Sequence, residues 1–221
     1  MSKTIVAPSI LSADFSKLHE EIAKMAAAGA PFVHLDVMDG RFVPNSTFGP
    51  ELVEEVAKGF PNLVKDTHLM VADPMRLIPL FAKAGADIIT VHYEAFSCLD
   101  EIREAIDLIH SFGIKAGLSI KPMTGENVLI PLLGELDLVL VMSVEPGKGG
   151  QAFMESALEK IAFYAIKKMT EGHRYLIEVD GGINQDTGAR CVDAGAEVLV
   201  AGSYLFGHDD YEQRVAGLAS L

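Results

Sequence analysis

Short apolar runs alternate with amphipathic stretches along the whole chain. Eight runs have the length and the β-branched character of buried strands, and they cover residues 5–11, 32–38, 64–70, 88–94, 115–121, 138–144, 175–181 and 198–203. The segments between them show helical periodicity, for example in residues 15–30, 50–60 and 98–113. In the first of these, Leu18, Ile22 and Met25 recur at the spacing of one helix face. The pattern therefore predicts strands and helices in alternation.

Glycines stand where most of the predicted helices end, before the next strand: Gly29, Gly59, Gly85, Gly113, Gly172 and Gly195. Glycine adopts the left-handed conformation that ends many helices at little steric cost. Eight strand–helix repeats within one domain length predict an α/β fold, a single (β/α)₈ barrel over residues 1–221. An open doubly wound sheet is the competing prediction. It would normally carry a glycine-rich turn after the first strand, where this chain reads SADFSKL.

Composition narrows the classes of partner. The 221 residues are 49% hydrophobic, enough for one sizeable core, and the formal net charge is −13. This charge argues against nucleic-acid binding, which needs a basic surface, and against binding to anionic membranes. No apolar run approaches the roughly 20 residues that span a bilayer, and the N-terminus lacks the apolar region of a secretory signal. Since Cys98 and Cys191 match no metal or redox spacing, we expect a cytoplasmic protein with reduced thiols.

Polar residues occur where several strands end, on the face that should point into the barrel. Alternate residues of a strand share a face, which groups His34, Asp36 and Met38 on the second strand, Asp66, His68 and Met70 on the third, and Glu178 and Asp180 on the seventh. Charges inside a barrel are costly unless they are neutralised. We expect His34, Asp36, His68 and Asp180 to surround one point.

These four residues predict a metal site. Two neutral imidazoles and two carboxylates carry a charge of −2, which one divalent cation would neutralise. Nitrogen and oxygen donors suit Zn²⁺, Mn²⁺, Fe²⁺ or Co²⁺ better than Mg²⁺ or Ca²⁺. The alternative is that an inward histidine is simply a hydrogen-bonded core residue. His92 and Glu94, at the end of the fourth strand, fit either support of the ligands or core packing.

Glycine-rich stretches follow the last three strands: EPGKGGQ (145–151), DGGIN (180–184) and AGS (201–203). Backbone N–H groups in such loops can bind an anion, and barrel enzymes often bind phosphate after strands seven and eight. Tight turns are the alternative interpretation. A nucleotide-binding P-loop is excluded, because Met142 stands five residues before Gly147 and no Ser or Thr follows Lys148.

Three methionines, Met38, Met70 and Met142, end strands with inward phase. Methionine is usually a flexible filler of the core. Around a metal, these three could instead form an apolar collar that keeps water from a reactive intermediate.

Six segments resemble the ribulose-phosphate 3-epimerase family, in order along nearly the full chain: SILSADF (9–15), HLDVMDGRFVPNSTFGP (34–50), HLMV (68–71), DLVLVMSVEPGKGGQAF (137–153), VDGGIN (179–184) and VAGSYLF (200–206). The resemblance implies a TIM barrel of the ribulose-phosphate-binding type. It also implies interconversion of D-ribulose 5-phosphate and D-xylulose 5-phosphate in the pentose phosphate pathway, and a homo-oligomer.

The resemblance also implies site residues. His34, Asp36, His68 and Asp180 correspond to the ligands of one divalent metal ion, zinc first, with iron, manganese or cobalt as alternatives. Asp36 and Asp180 correspond to the acid/base pair. Contacts to the sugar phosphate correspond to Ser9, His68, Gly147, Lys148, Gly149, Gly150, Gly181, Gly182, Gly202 and Ser203. Two features depart from the family: an aromatic residue often stands where this chain has Lys148, and Asn-Pro-x-Thr-Pro where it reads KPMTG (121–125).

The chemistry of C3 inversion suits this set. A proton must leave a carbon next to the C2 carbonyl, and another must return to the opposite face, which two carboxylates on opposing sides can do. We expect Asp36 to take the proton from D-ribulose 5-phosphate and Asp180 to donate the other.

Three alternatives stay open: a 3-epimerase of a six-carbon ketose phosphate such as allulose 6-phosphate, a metal-dependent sugar-phosphate aldolase, and a non-catalytic sugar-phosphate sensor. The related decarboxylase and hexulose-phosphate synthase barrels carry a D-x-K-x-x-D pattern. The second strand here reads Asp36-Val-Met-Asp39, without the lysine, which counts against those two activities.

Overall fold

The computed structural model describes residues 4–221 and shows eight parallel strands around one axis. The strands are β1 (Ile5–Pro8), β2 (Phe32–Met38), β3 (Val64–Met70), β4 (Ile88–His92), β5 (Lys115–Ile120), β6 (Leu138–Met142), β7 (Leu176–Asp180) and β8 (Val198–Ala201). Neighbours in the chain are neighbours in the sheet, and β1 pairs with β8. The remaining gap, between β1 and β2, carries a bridge from Ser9 to His34. The predicted TIM barrel is confirmed.

Seven α-helices lie within residues 4–221: α1 (Leu18–Ala27), α2 (Pro50–Gly59), α3 (Pro74–Ala84), α4 (Leu99–Ser111), α5 (Ser156–Glu171), α6 (Gln185–Ala194) and α7 (Tyr211–Ala219). The connection between β5 and β6 contains a 3₁₀ segment, Glu126–Glu135, instead of an α-helix. Pro131 and Gly134 both lie within this segment, and both residue types disfavour a continuous α-helix. The alternation of strands with helices is therefore correct except at this repeat.

Five of the six predicted glycine stops are confirmed, and two of these, Gly29 and Gly113, follow α1 and α4 with positive φ angles. Gly85, Gly172 and Gly195 end α3, α5 and α6 in the left-handed conformation. Gly59 does not follow this prediction: it is the last residue of α2, and its φ is not positive. The chain leaves that helix at Phe60, whose φ is −132°.

The interior of the barrel has an apolar and a polar level. Side chains on the inward face of the strands form an apolar cluster towards the amino ends, which includes Ile88, Leu138, Leu140 and Val198. Polar and ionisable residues replace them towards the carboxyl ends. The apolar cluster thus fills the barrel interior beneath the candidate site. Within residues 4–221, no helix has both the length and the apolar character needed to cross a membrane.

Candidate active site

The pairing of β2 with β3 places imidazoles and carboxylates in alternation. His34 is in register with Asp66, and Asp36 is in register with His68. The Nδ1 atom of His34 lies 2.5 Å from Oδ2 of Asp66, and its Nε2 atom lies 3.3 Å from Oδ1 of Asp36. The Nδ1 atom of His68 lies 3.2 Å from the same Oδ1 of Asp36. Asp36 therefore faces both rings.

Asp180, at the end of β7, completes this group from across the barrel. Its Oδ2 atom lies 4.0 Å from Nδ1 of His68. Potential ligand atoms of His34, Asp36, His68 and Asp180 all lie within 4.8 Å of one another. Both histidines are fully buried, whereas the side chain of Asp180 is 17% exposed. The four residues expected to surround one point do lie together.

The cluster is compatible with a divalent metal ion. The buried Nε2 atom of His34 has no hydrogen-bond partner among the described residues, although it points at a carboxylate. Burial lowers the pKa of His34, but the charges of Asp36 and Asp66 outweigh burial and leave this pKa well above its usual value. The surroundings of that nitrogen therefore favour a positive charge, and the donor set of nitrogen and oxygen atoms suits a transition metal.

The two aspartates have pKa values shifted in opposite directions. Burial by itself would raise the pKa of Asp36, but the charge and close contact of His34, together with the hydrogen bond to His68, outweigh it and lower this pKa below its usual range. Ser9 also donates a hydrogen bond of 2.6 Å to Oδ2 of Asp36. Burial, together with the charge of Asp36, raises the pKa of Asp180 to about 7. The site thus keeps Asp36 ionised, whereas a pKa of about 7 lets Asp180 gain and lose a proton near neutral pH.

Two further carboxyl groups lie beneath the site, at Asp66 and Glu178. Glu178 is fully buried, and neither of its carboxyl oxygens has a hydrogen-bond partner among residues 4–221. Its Oε1 atom is 3.8 Å from Nδ1 of His34. Burial, and next the charge of Asp66, raises the pKa of Glu178 well above its usual value. The alternation of residues along each strand predicted that both side chains point into the barrel, but it did not predict a role for them.

His68 is also in contact with a second histidine. Its Nε2 atom lies 2.8 Å from Nε2 of His92, and Nδ1 of His92 lies 3.3 Å from Oε2 of Glu94. Burial lowers the pKa of His92 to about 4. Burial acts to raise the pKa of Glu94, but hydrogen bonds from His92, Thr124 and Lys121 outweigh it and lower this pKa to about 2. Of the two sequence interpretations of His92 and Glu94, the contacts favour support of the site.

A pocket opens above this group. Asp36 and Asp180 line it, together with most of the residues predicted to contact the sugar phosphate: Ser9, Gly147, Lys148, Gly149, Gly150, Gly181, Gly182, Gly202 and Ser203. His34 and His68 have no exposed surface and lie below this lining. The predicted phosphate loops and the predicted metal ligands therefore meet at one pocket.

The three methionines lie between the ionisable group and the pocket. Met38, Met70 and Met142 are buried and line the pocket. Met38 and Met70 belong to one apolar cluster with Val43 and partly buried Phe42. The three methionines therefore give the pocket an apolar rim, and their role as a collar that excludes water stays a prediction.

Two amide side chains that the sequence did not indicate hold the loop after β6. Gln151 donates to the carbonyl oxygens of Glu145, at 2.7 Å, and Lys148, at 2.8 Å. Asn45 donates to the carbonyl oxygen of Gly147, at 2.7 Å. Residues in loops have no periodicity that would reveal such contacts in advance. The Lys148 side chain is exposed at the edge of the pocket.

Comparisons with known sequences agree with the geometry. Residues 5–206 match the model of the Ribulose-phosphate 3 epimerase family. The chain is 47% identical over 214 residues to the ribulose-phosphate 3-epimerase of Bacillus subtilis (strain 168), covering 96% of each protein. It is 44% identical over 217 residues to the chloroplastic ribulose-5-phosphate-3-epimerase of Arabidopsis thaliana, covering 98% of this chain and 76% of that protein.

Solved structures show the same fold at low identity. A 3-keto-L-gulonate-6-phosphate decarboxylase from Vibrio cholerae matches with a TM-score of 0.74 and 14% identity, over 99% of this chain and 96% of that one. A 3-hexulose-6-phosphate synthase from Salmonella typhimurium matches with a TM-score of 0.70 and 15% identity, over 97% and 96%. These two likenesses concern the fold alone. The sequence matches, by contrast, show that the chain belongs to the ribulose-phosphate 3-epimerase family.

Proposed function

We propose that this protein is an isomerase that interconverts D-ribulose 5-phosphate and D-xylulose 5-phosphate in the pentose phosphate pathway by epimerisation at C3. The activity named for the relatives supports this substrate. The observation that carries the proposal is the pair Asp36 and Asp180, which reach one pocket from β2 and β7.

The two aspartates are the acid/base pair of this proposal. Asp36, whose ionised form is favoured, takes the C3 proton from D-ribulose 5-phosphate. Asp180, whose raised pKa lets it carry a proton near neutral pH, donates a proton to the other face of C3. In the reverse reaction the roles exchange, and the two groups titrate as a coupled pair. The hydrogen bond from Ser9 orients the carboxylate of Asp36.

The residues that would hold one divalent cation are His34, Asp36, His68 and Asp180. Zinc is the first choice, and iron, manganese and cobalt suit the same donors. When bound, the cation supplies positive charge where negative charge develops on the C2 and C3 oxygens of the sugar. The methionine collar around the pocket keeps water from the reacting carbon.

The glycine loops are the phosphate site of this proposal. Gly181 and Gly182 have positive φ angles, 124° and 64°, at the point where β7 leads towards α6. Gly202 and Ser203 follow β8 and line the same pocket. Backbone N–H groups in such loops are free to bind phosphate oxygens. Lys148 adds one positive charge at the edge of the pocket.

One isotope experiment tests the reaction. The protein is incubated with D-ribulose 5-phosphate in D₂O, with and without a chelator, and the sugars are analysed by NMR. Deuterium at C3 together with D-xylulose 5-phosphate, both lost with the chelator, is the expected result. Unlabelled substrate without product would overturn the proposal in favour of a sensor. Release of a smaller sugar fragment would overturn it in favour of an aldolase.

The same assay separates the pentose from the hexose substrate. D-Allulose 6-phosphate is tested beside D-ribulose 5-phosphate, and we expect a higher kcat/KM for the pentose. The opposite ranking would assign the chain to the six-carbon ketose phosphate. The homo-oligomeric state and the cytoplasmic location stay predictions.

A further inference from the structure

Two buried imidazoles stand between two carboxyl groups in a continuous line. The contacts run from Asp36 to His68, from His68 to His92 and from His92 to Glu94. His68 and His92 have no exposed surface. Since no solvent reaches either ring, the ring hydrogens and lone pairs must be matched within this line.

Counting these hydrogens gives the line a direction. A neutral imidazole has one N–H group and one lone pair, so two neutral rings in series can donate towards only one of the two carboxyl groups. Glu94 is the acceptor end when a cation lies beside Asp36, because such a cation needs a lone pair, and not a hydrogen, on the nitrogen of His68 that faces Asp36. The Oε1 atom of Glu94 already accepts hydrogen bonds from the Lys121 backbone N–H, at 2.7 Å, and from the Thr124 hydroxyl group.

With Glu94 as the acceptor, each atom along the line has a single role. Nδ1 of His92 donates to Oε2 of Glu94, and Nε2 of His92 accepts from Nε2–H of His68. The Nδ1 atom of His68 then carries a lone pair. This atom faces the carboxyl oxygens of Asp36, at 3.2 Å, and Asp180, at 4.0 Å. Three electron-rich groups that face one another would repel, and either a proton on Asp180 or a cation between the three groups relieves this repulsion.

We propose that His92 and Glu94 are positioning residues that hold His68 in the tautomer whose Nδ1 lone pair faces the cation site. This inference deepens the proposed function, because it names residues that tune the proposed metal site. Carboxylate groups behind ligand histidines commonly fix the ring and raise its basicity, and their loss commonly lowers metal affinity about 10–100-fold. Here the carboxylate acts through an intervening imidazole.

The acceptor end is held by the loop at 121–125. Lys160 donates from Nζ to the carbonyl oxygens of Pro122, at 2.7 Å, and Lys121, at 3.1 Å, and it also reaches that of Thr124. The backbone of this loop, with one threonine hydroxyl group, fixes Glu94. Residue 121 contacts Glu94 only through its backbone N–H group. The contact is therefore kept although this chain has a lysine at position 121, where family members often have an asparagine.

The other side of the line is covered by an aromatic ring. Phe42 packs against His92 with a centroid distance of 4.9 Å, and Nζ of Lys121 lies 4.1 Å from the centre of the Phe42 ring. This packing keeps the ring of His92 in place and away from water. It therefore preserves the single direction of hydrogen bonding.

The variant Glu94→Gln tests the direction, because it preserves the shape of the side chain. The backbone N–H group of Lys121 and the hydroxyl group of Thr124 still need an acceptor, so we expect the amide oxygen of the glutamine to occupy the position of Oε1. The amide NH₂ group then occupies the position of Oε2. That NH₂ group would donate to His92 and reverse the line, leaving a hydrogen on Nδ1 of His68. We expect zinc affinity, measured by competition with a chromophoric chelator, to fall about 10–100-fold.

Substitutions of His92 separate hydrogen bonding from packing. His92→Leu removes the acceptor, and we expect a similar loss of zinc affinity. His92→Gln offers an amide oxygen near the position of Nε2, and we expect it to restore most of the affinity. The matched control is Thr90→Val, two residues earlier on β4 and equally buried, with a hydroxyl group that has no partner among the described residues. It should bind zinc within about twofold of wild type, since it leaves the line intact.

Histidine ¹⁵N NMR of the zinc-loaded protein supplies a readout independent of activity. The expected spectrum has hydrogens on Nε2 of His68 and Nδ1 of His92. A hydrogen on Nδ1 of His68, or zinc affinities within twofold of wild type for both Glu94→Gln and His92→Leu, would overturn the inference. If His92→Leu does not fold, Glu94→Gln decides alone. A wild-type protein that binds zinc in this way but does not exchange C3 hydrogen would overturn the proposed function only.

Discussion

Replacement of Gly182 by alanine tests whether the loop after β7 binds the phosphate. The φ angle of Gly182 is +64°, and a Cβ atom there would lie 2.7 Å from the backbone nitrogen of Phe153 and 3.0 Å from the carbonyl oxygen of Gln151. These neighbours are backbone atoms, so no side-chain rotation can relieve the contact. The loop at 181–182 or the segment at 151–153 must therefore move.

The expected magnitude has two parts. A residue with a Cβ atom in the left-handed conformation costs about 1–2 kcal/mol of the free energy of unfolding. The displaced loop also loses at least one hydrogen bond to a charged phosphate, which is worth about 1.5–3 kcal/mol. Since 1.4 kcal/mol corresponds to a factor of ten, we expect KM for D-ribulose 5-phosphate to rise about 10–100-fold.

Gly113→Ala is the matched control. Gly113 has a φ of +75°, but no atom lies within 4 Å of an added Cβ, and it precedes β5 at the opposite end of the barrel. It should therefore lose about 1–2 kcal/mol of stability, a fall in Tm of roughly 2–4 °C per kcal/mol, with unchanged KM. Thermal unfolding and steady-state kinetics of both variants separate the two effects. An unchanged KM in Gly182→Ala would refute the assignment of this loop to phosphate binding.

Three further predictions concern the same pocket. Asp36→Asn and Asp180→Asn should each lower kcat by about 10²–10⁴-fold in a coupled epimerase assay, because each removes one proton-transfer group; near-normal turnover in either would contradict the two-carboxylate mechanism. Dialysis against a chelator should abolish turnover, and added Zn²⁺ should restore it; full activity in protein shown to be metal-free by elemental analysis would contradict the metal requirement. Lys148→Ala should raise KM about two- to fivefold at low salt, because an exposed charge pair is worth about 0.2–1 kcal/mol, and the effect should fade as ionic strength rises; an equal KM at low salt would place the lysine outside the phosphate site.

The strands could be predicted closely because both faces of each strand are buried in the barrel. Each strand is covered by helices outside and by packed side chains inside, so it appears as a continuous apolar run of limited length. The prediction was too long where an apolar run continues past the sheet. The run 5–11 is an example: β1 ends at Pro8, and a 3₁₀ turn begins at Ile10. An apolar pattern alone does not indicate the residue at which hydrogen bonding to the neighbouring strand stops.

The position of the site could also be predicted, since period-two alternation assigns each polar residue to a face. It placed His34, Asp36, His68 and Asp180, from three strands, around one point inside the barrel. Contacts between side chains of neighbouring strands could not be predicted from the sequence, because they depend on the register in which β2 and β3 pair. The 2.5 Å contact between His34 and Asp66 is a result of that register. Loop contacts such as those of Gln151 depend on the fold of the loop itself.

The geometry explains why the two histidines present different nitrogens to the same point. Asp66 is level with His34 and occupies its Nδ1, which leaves Nε2 to face Asp36. His68 is one step further along the barrel, and His92 occupies its Nε2, which leaves Nδ1 to face Asp36. In each case the group behind the ring determines which nitrogen is available. A cation in this cluster would therefore depend on seven side chains: four that could touch the ion, and Asp66, His92 and Glu94 behind the two rings.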